Sequence, residues 1–241
     1  MRLRHLLTAT TLVLALPVAA PAQIITLWNF NSPVPDNNTS TGTTAPAIGA
    51  GTASLIGGTT ATFASGTVNG GSTDPAPSDN SGWNVTNFPT QGTGSGTAGV
   101  QFRVSTVGFS RIGVQWDQRH SNTASRFVQF QYSIDGVNFT ALPTLFVGNA
   151  GDTWFNNRFV DLSGIAGVNN NPNFAFRIVS VFEPSTSAYR ASNPASTYAT
   201  TGTWRFDMVR VGVVPGPSSL LVFACGGLAP ALTLLRRRRT A

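Results

Sequence analysis

Apolar and polar residues alternate along several short stretches of this chain. In residues 128–134 (VQFQYSI), every second residue is apolar and the residues between are Gln or Ser. Residues 100–104 (VQFRV) and 112–117 (IGVQWD) show the same period of two. This period places successive side chains on opposite faces of a β-strand. The pattern therefore predicts strands with one buried face.

Turn signals and further apolar stretches extend this prediction. Asp135-Gly136 follows the stretch 128–134 and is a strong hairpin signal ahead of Phe139. Together the patterns predict about nine or ten strands. The remaining candidate strands are residues 24–30, 59–64, 83–88, 158–162, 174–181 and 204–213.

The order of these elements predicts an all-β fold. Between residues 23 and 213 no long stretch has helical periodicity, so we expect an antiparallel β-sandwich of jelly-roll type. The first strand (27–30, LWNF) and the last (204–209, WRFDMV) are both aromatic, and we predict that they share a sheet. Residues 31–98 are poorer in pattern and predict long loops around two or three strands.

Charge is concentrated at the two ends of the chain. The net charge is +6, and Arg2, Arg4 and the four arginines 236–239 account for all of it. The central region is neutral, with no excess of basic residues for binding phosphates, so we do not expect a nucleic-acid partner.

The N-terminal segment has the layout of a secretory signal peptide. A basic start is followed by an apolar run from Leu6 to Val18 and by the small-x-small sequence Ala20-Pro21-Ala22. We therefore predict a signal peptide over residues 1–22, read by Sec-type export machinery and cleaved between Ala22 and Gln23. The alternative is an uncleaved anchor, but the apolar run is shorter than a membrane span requires.

The C-terminal segment, residues 214–241, predicts an anchoring or sorting signal. A proline-containing linker precedes an apolar stretch from Leu220 to Leu235, and four arginines follow it. As a helix, this stretch is just long enough to cross a membrane. The arginines would hold the C-terminus in the cytoplasm and leave residues 23–213 outside. The basic cluster consists of Arg236, Arg237, Arg238 and Arg239.

This tail resembles the PEP-CTERM sorting signal of exported bacterial proteins. In that family a Pro-Glu-Pro motif precedes a membrane helix and a basic cluster. This chain has the two prolines, Pro215 and Pro217, the apolar stretch and the basic cluster, but Gly216 stands in the place of the glutamate. The resemblance implies an exosortase-like processing enzyme as a partner and a place at the cell envelope or in an extracellular, polysaccharide-rich matrix. The alternative is a plain anchor that is never processed. The motif residues are Val214, Pro215, Gly216, Pro217 and Ser218.

Part of the central region also resembles a domain that recurs among PEP-CTERM proteins. The matching stretches are 104–110 (VSTVGFS), 116–121 (WDQRHS) and 131–136 (QYSIDG). This resemblance implies export rather than a particular activity.

The central region offers little catalytic or metal-binding chemistry. His120 is its one histidine and Cys225 is the one cysteine of the chain, so neither a zinc cluster nor a disulfide is expected. No nucleophile-elbow motif accompanies His120. Oxygen-rich loops would allow a structural calcium ion, but no Asp-x-Asp-x-Asp-Gly loop assigns its ligands. We therefore expect no cofactor.

Two functions remain open. Exposed aromatic rings can stack on sugars, which favours a non-enzymatic role in adhesion or glycan binding. The alternative is a secreted polysaccharide hydrolase that uses two aspartates across an open cleft. The candidate stacking residues are Trp83, Trp154, Tyr189 and Tyr198, each of which could instead belong to the core. The candidate aspartates are Asp117, Asp135, Asp152, Asp161 and Asp207.

Overall fold

The alternating stretches form strands of two antiparallel sheets. The computed structural model describes residues 23–76 and 78–215, which contain eleven β-strands and one short 3-10 helix, Ala166–Val168. The prediction of an all-β, antiparallel fold is confirmed. The strands are β1 (Ile24–Trp28), β2 (Thr52–Ile56), β3 (Thr60–Ser65), β4 (Ser81–Thr86), β5 (Gly99–Arg103), β6 (Ile112–His120), β7 (Phe127–Ser133), β8 (Thr140–Val147), β9 (Thr153–Asp161), β10 (Ala175–Val181) and β11 (Trp204–Val213).

The two sheets form a sandwich around one core. The six-stranded sheet has the order β3-β4-β11-β6-β9, with β1 also paired to β11. The five-stranded sheet has the order β2-β5-β10-β7-β8. Consecutive strands mostly alternate between the sheets, so the chain crosses the core repeatedly.

The first and last strands are neighbours, as the sequence predicted. β1 pairs with the second half of β11, from Trp28 opposite Val209 to Ile24 opposite Gly212. β4 pairs with the first half, where Phe206 lies opposite Trp83. β6 occupies the other edge of β11 along most of its length.

Aromatic rings connect the two sheets through the core. Phe176 of β10 stacks between Phe102 and Phe130, at centroid distances of 4.9 and 5.4 Å. Trp28 contacts Phe102 at one end of this series, and Trp116 contacts Phe130 at the other. All five rings are buried. The apolar face of each alternating stretch therefore lies inside.

The structure differs from the sequence prediction in several places. The predicted strands did not include β2 or β8, which are edge strands whose residues are exposed or half-buried, and β9 begins at Thr153 rather than at residue 158. Ile134, predicted to continue the buried face of β7, lies beyond the end of that strand and is 50% exposed. The chain turns there toward the Asp135-Gly136 pair, where Gly136 has a φ of 75°. The predicted hairpin is present, as antiparallel β7 and β8.

The predicted terminal signals fall almost wholly outside the described residues. The signal peptide, residues 216–218 of the motif, the apolar stretch and the arginine cluster all belong to that part. Val214, the first motif residue, is hydrogen-bonded to Arg111. Within residues 23–76 and 78–215, no helix is long and apolar enough to cross a membrane.

Candidate functional site

The outer face of the five-stranded sheet carries a polar patch, here called the amide face. Its residues alternate with Phe102, Phe130 and Phe176, which fill the core, so their side chains point away from it. Polar residues on three neighbouring central strands therefore meet on one surface. The amide face consists of Gln101, Arg103, Gln129, Gln131 and Arg177.

Strand register aligns these side chains into a row. Gln101 of β5 and Gln131 of β7 lie directly opposite Arg177 of β10, one on each side. Arg177 Nε donates a hydrogen bond of 2.8 Å to Gln101 Oε1. Gln131 Nε2 donates one of 3.0 Å to the Gly96 carbonyl. Hydrogen bonds thus orient the side-chain amides of Gln101 and Gln131 at the two ends of the row.

The β7–β8 turn folds back onto this face. Its Phe139 ring lies beneath the Arg177 guanidinium, whose Cζ is 3.6 Å from the ring centroid. Arg103 Nη2 donates a 2.7 Å hydrogen bond to the Gly136 carbonyl. Both arginines are therefore held in place by the turn.

The edge strand β8 adds an apolar border. Ala141 pairs with Gln131, and Leu145 pairs with Gln129. Leu142 and Phe146, by contrast, pack against the core. The amide face thus combines hydrogen-bonding groups in its centre with apolar groups on one side.

Two tyrosines fasten the loop on the other side of the face. Tyr189 Oη donates to the Thr93 carbonyl at 3.0 Å, and Tyr198 Oη donates to the Pro89 carbonyl at 2.7 Å. Their rings stack on each other at 4.7 Å. These residues hold the loop that supplies Gly96 to the row.

This geometry corrects the predicted stacking residues. Trp83, Trp154 and Tyr189 are only 4%, 8% and 3% exposed, so none presents a ring face to solvent. Trp83 stacks on Phe30 in the core. Tyr198 is half-buried and has one ring face against Tyr189. Sequence could not separate core rings from surface rings, because both occur beside polar loop-like segments.

A second polar cluster lies on the outer face of the six-stranded sheet, under a glycine-rich loop. We call this loop, residues 66–74, the strap. Its Ser72 hydroxyl donates to Asp207 Oδ2 at 2.6 Å, and the Thr73 amide donates to Asp117 Oδ2 at 2.6 Å. The strap also covers Trp154, whose Nε1 donates to the Val68 carbonyl at 2.9 Å.

The strap covers Asp117 and Asp207, the one pair of candidate aspartates that are cross-strand neighbours among the described residues. Asp117 and Asp207 lie directly opposite each other on β6 and β11. They are 1% and 0% exposed, respectively. Burial raises the pKa of Asp207 well above its ordinary value, and the charges of Asp74 and Asp117 raise it further, against the hydrogen bond from Ser72. This pair does not line an open cleft.

The other three candidate aspartates do not pair with each other, and each stabilises local structure. Asp135 accepts hydrogen bonds from the amides of Val137 and Asn138 within its turn. Asp152 forms an ion pair with Arg119 at 2.6 Å. Asp161 accepts a hydrogen bond from the Ser163 amide.

His120 ends β6 inside the protein. It is fully buried, and its Nδ1 lies 3.0 Å from the Ser125 carbonyl. Burial lowers its pKa well below the ordinary value, and the positive charge of Arg158 lowers it further. The ring is therefore neutral and has no access to a substrate.

Metal ligands do not gather in the part of the chain that the structure describes. Over residues 23–76 and 78–215, no group of three or more His, Cys, Asp or Glu side chains could hold a metal ion. A structural calcium ion stays an unassigned prediction.

Two depressions lie away from the amide face. One, of about 310 Å3, is formed by the β7–β8 turn and the 3-10 helix and includes Tyr132, Asn138 and Ile165. The other, of about 370 Å3, lies between residues 29–33 and 43–47. Neither contains a residue of the amide face.

Comparison with known proteins yields structural similarity only. No protein-family model and no curated protein matches the chain. Among solved structures, it is similar to the N-terminal CBM22-1–CBM22-2 tandem domain of Paenibacillus barcinonensis Xyn10C, with 11% identity and a TM-score of 0.45, covering 86% of this chain. It spans 50% of that chain. It is also similar to the CBM22-1 xylan-binding domain of the same protein, with 10% identity and a TM-score of 0.35, covering 68% of this chain and 86% of the other.

Proposed function

We propose that this chain is a non-enzymatic glycan-binding or adhesion protein and that the amide face is its binding surface. The observation that supports this most is the row Gln101–Arg177–Gln131, which places three hydrogen-bonding side chains on adjacent strands. Strands lie about 4.8 Å apart, a spacing comparable to one sugar unit. Arg177 and Gln131 could therefore reach hydroxyls of different parts of an oligosaccharide, whereas Gln101, which is only 7% exposed, orients Arg177.

The chemistry of the patch suits sugar hydroxyls. An amide both donates and accepts hydrogen bonds, as a hydroxyl does, and a guanidinium can donate two bonds in parallel. Phe139, Ala141 and Leu145 add apolar surface that can pack against the C–H faces of a sugar. A site with convergent polar groups and an apolar border is the usual form of a small-ligand site.

Strand order supports the jelly-roll form of sandwich that was expected from the sequence. Without the additional strands β1, β2 and β3, the sheets have the orders β4-β11-β6-β9 and β5-β10-β7-β8. Apart from the β7–β8 hairpin, successive strands then alternate between the sheets in the manner of two Greek keys. This architecture leaves a broad outer face on each sheet for a ligand.

The surroundings that the terminal sequences predict are compatible with this role. We propose that the signal peptide directs export and that the tail first anchors the protein and is then processed by an exosortase-like enzyme. The sandwich would then act at the cell envelope or in an extracellular polysaccharide matrix. An epitope tag at the C-terminus should be missing from the mature protein on immunoblots. A mature form that always retains the tag would contradict processing.

Retention on immobilised glycans tests the binding proposal. The purified full chain should bind at least one polysaccharide of a broad panel, and Gln131→Ala should weaken that binding by about tenfold, because a buried sugar hydroxyl would lose its partner. Gln115→Ala is the matched control, since Gln115 lies on the opposite sheet. Failure to bind any glycan, or equal effects of the two substitutions, would overturn the proposal.

The same samples test the hydrolase alternative. We expect the bound polysaccharide to keep its length and to release no reducing ends. Release that disappears in Asp117→Asn would instead support hydrolysis by the Asp117–Asp207 pair.

A further inference from the structure

The two arginines of the amide face form no ion pair with a carboxylate of the described residues. Arg103 donates to the Gly136 carbonyl, and Arg177 donates to Gln101 and stacks on Phe139. The ion pairs among residues 23–76 and 78–215 join Arg119 to Asp152 and Arg190 to Glu183. Neither pair involves the amide face.

These arginines also repel each other. Burial lowers the pKa of Arg177, and the charge of Arg103 lowers it further. Arg103 pairs with Ala175, two residues from Arg177 on β10, which makes the two arginines diagonal neighbours on one face. Adjacent like charges on a sheet cost stability unless something compensates them.

Asp135, the acidic residue of the β7–β8 turn, already accepts hydrogen bonds within the turn. Asp135 receives hydrogen bonds from the Asn138 side chain and from the amides of Asn138 and Val137. Those bonds, together with one from Ser133, depress its pKa. The turn therefore stabilises its own carboxylate and leaves the arginines uncompensated.

We infer that the amide face selects an anionic glycan and that Arg177 and Arg103 bind the carboxylate of an acidic sugar. This inference rests on the proposed glycan-binding function and narrows it to a substrate class. A guanidinium presents its N–H groups along its edge in a fork that matches a carboxylate. Phe139 covers a face of Arg177 and Gln101 accepts from its Nε, so the proposed contact to the carboxylate is made by the two Nη groups.

The fixed position of Arg177 favours binding over a diffuse charge effect. The stack on Phe139 and the 2.8 Å bond from Nε to Gln101 fix both the plane and the rotation of the guanidinium. Orienting the group before binding reduces the entropy lost when the ligand binds. Gln131, on the other side of Arg177, would then contact hydroxyls of the same or the neighbouring sugar.

The ligand's charge can be tested without changing the protein. Oligogalacturonate and its fully methyl-esterified form differ only in the carboxylate, and binding of the full chain to both is measured by calorimetry. We expect esterification to weaken binding by about tenfold, the effect of losing one charge-assisted contact. Dextran sulfate and dextran form a second pair. A preference for dextran sulfate over both oligogalacturonate forms would overturn the carboxylate assignment and indicate a sulfate as the bound group instead.

Substitutions then locate the charge effect. Arg177→Gln and Arg103→Gln should each reduce the affinity for oligogalacturonate by about tenfold and leave the affinity for neutral dextran or the methyl ester within about twofold. Arg210→Gln is the control, because it removes the same charge on the other sheet, where Arg210 contacts Gln115. Thermal unfolding establishes that each variant is folded.

The outcomes separate the two proposals. Equal affinity for the acid and ester forms, or an Arg210→Gln effect as large as that of Arg177→Gln, would overturn the anionic site while glycan binding stands. Absence of binding to every glycan would overturn the proposed function itself.

Discussion

Asp117 on β6 and Asp207 on β11 are direct cross-strand neighbours, and both carboxyl groups are buried beneath the strap. The backbone is irregular at the same place. The β6–β11 register shifts just after Asp207, the β6–β9 register shifts at Asp117, and Met208 is left-handed, with a φ of 47°. The Asp117 carboxyl group accepts hydrogen bonds from the Thr73 hydroxyl and the Asn157 amide. The Asp207 carboxyl group accepts hydrogen bonds from the Ser72 hydroxyl and the Met208 amide. Burial, together with the neighbouring charges of Asp74 and Asp117, raises the pKa of Asp207 well above its ordinary value.

The raised pKa of Asp207 makes stability depend on pH. Its folded-state pKa is above the unfolded value, so the folded state binds more protons between the two values. The contribution to stability is therefore fully present below the unfolded pKa and is lost as pH rises through the folded one. Asp207→Asn keeps a neutral group and should flatten this decrease in melting temperature, measured from about pH 4 to about pH 9.

Asp161→Asn is the contrasting control for this experiment. Hydrogen bonds from Ser163 lower the pKa of Asp161, so its contribution is present above the unfolded pKa and is lost as pH falls through the folded one. The two substitutions should change opposite ends of the pH profile. If the melting temperature of Asp207→Asn fell with rising pH as steeply as that of the natural protein, Asp207 would not be the group responsible for the decrease.

The strap should depend on its hydrogen bonds to the aspartates. Thr73 Oγ1 donates to Asp117 Oδ2 at 2.7 Å, and Thr73→Val removes this bond with little change in shape. We expect a loss of about 1–2 kcal/mol in the free energy of unfolding. Because the strap covers Trp154, an indole fluorescence shift toward longer wavelength should accompany it. Thr60→Val, at an exposed position of β3, should change neither quantity.

Gly99 is required where β5 packs against β10. Its φ is 154°, and a Cβ at this position would lie 2.1 Å from the Ile178 carbonyl oxygen. Gly99→Ala should therefore cost about 3 kcal/mol or more, measured by urea unfolding. Gly164→Ala is the matched control, since a Cβ there would meet nothing within 4 Å. Equal stability of the two variants would show that β10 can move away at little cost.

Arg158 is a buried cation without an acidic partner among the described residues. Its guanidinium lies near the rings of Phe146 and Phe155 and donates to Gln118 Oε1 at 2.6 Å and to the Val147 carbonyl at 3.2 Å. Burial lowers its pKa to about 9, although a guanidinium stays charged at neutral pH.

Arg158→Met should remove this desolvation cost and keep most of the side-chain volume. We expect the free energy of unfolding to be unchanged or higher by up to about 3 kcal/mol, whereas Arg158→Ala should be destabilised by the cavity it leaves. Chemical denaturation of both variants measures the difference. A Met variant as unstable as the Ala variant would mean that the hydrogen bonds outweigh the cost of burying the charge.

Alternation along the sequence was sufficient to predict the strands that have one face in the core. Residues 128–132 form part of β7 with their apolar members inside, and the Asp135-Gly136 pair lies in the turn to β8. The pairing of the first and last strands was also predicted from sequence, because both are aromatic and strongly patterned. Edge strand β2 could not be predicted with equal ease, since its residues are only half-buried.

The candidate site depended on tertiary structure. The sequence indicated that Gln129 and Gln131 face outward, but only register brings Gln101, Arg177 and Gln131 into one row. Likewise, sequence showed Trp83 and Trp154 near polar segments, and only packing decided that both rings are covered. A period of two along a strand is a local property of the backbone. Neighbours across a sheet, and loops that fold over it, are set by contacts between residues far apart in the chain.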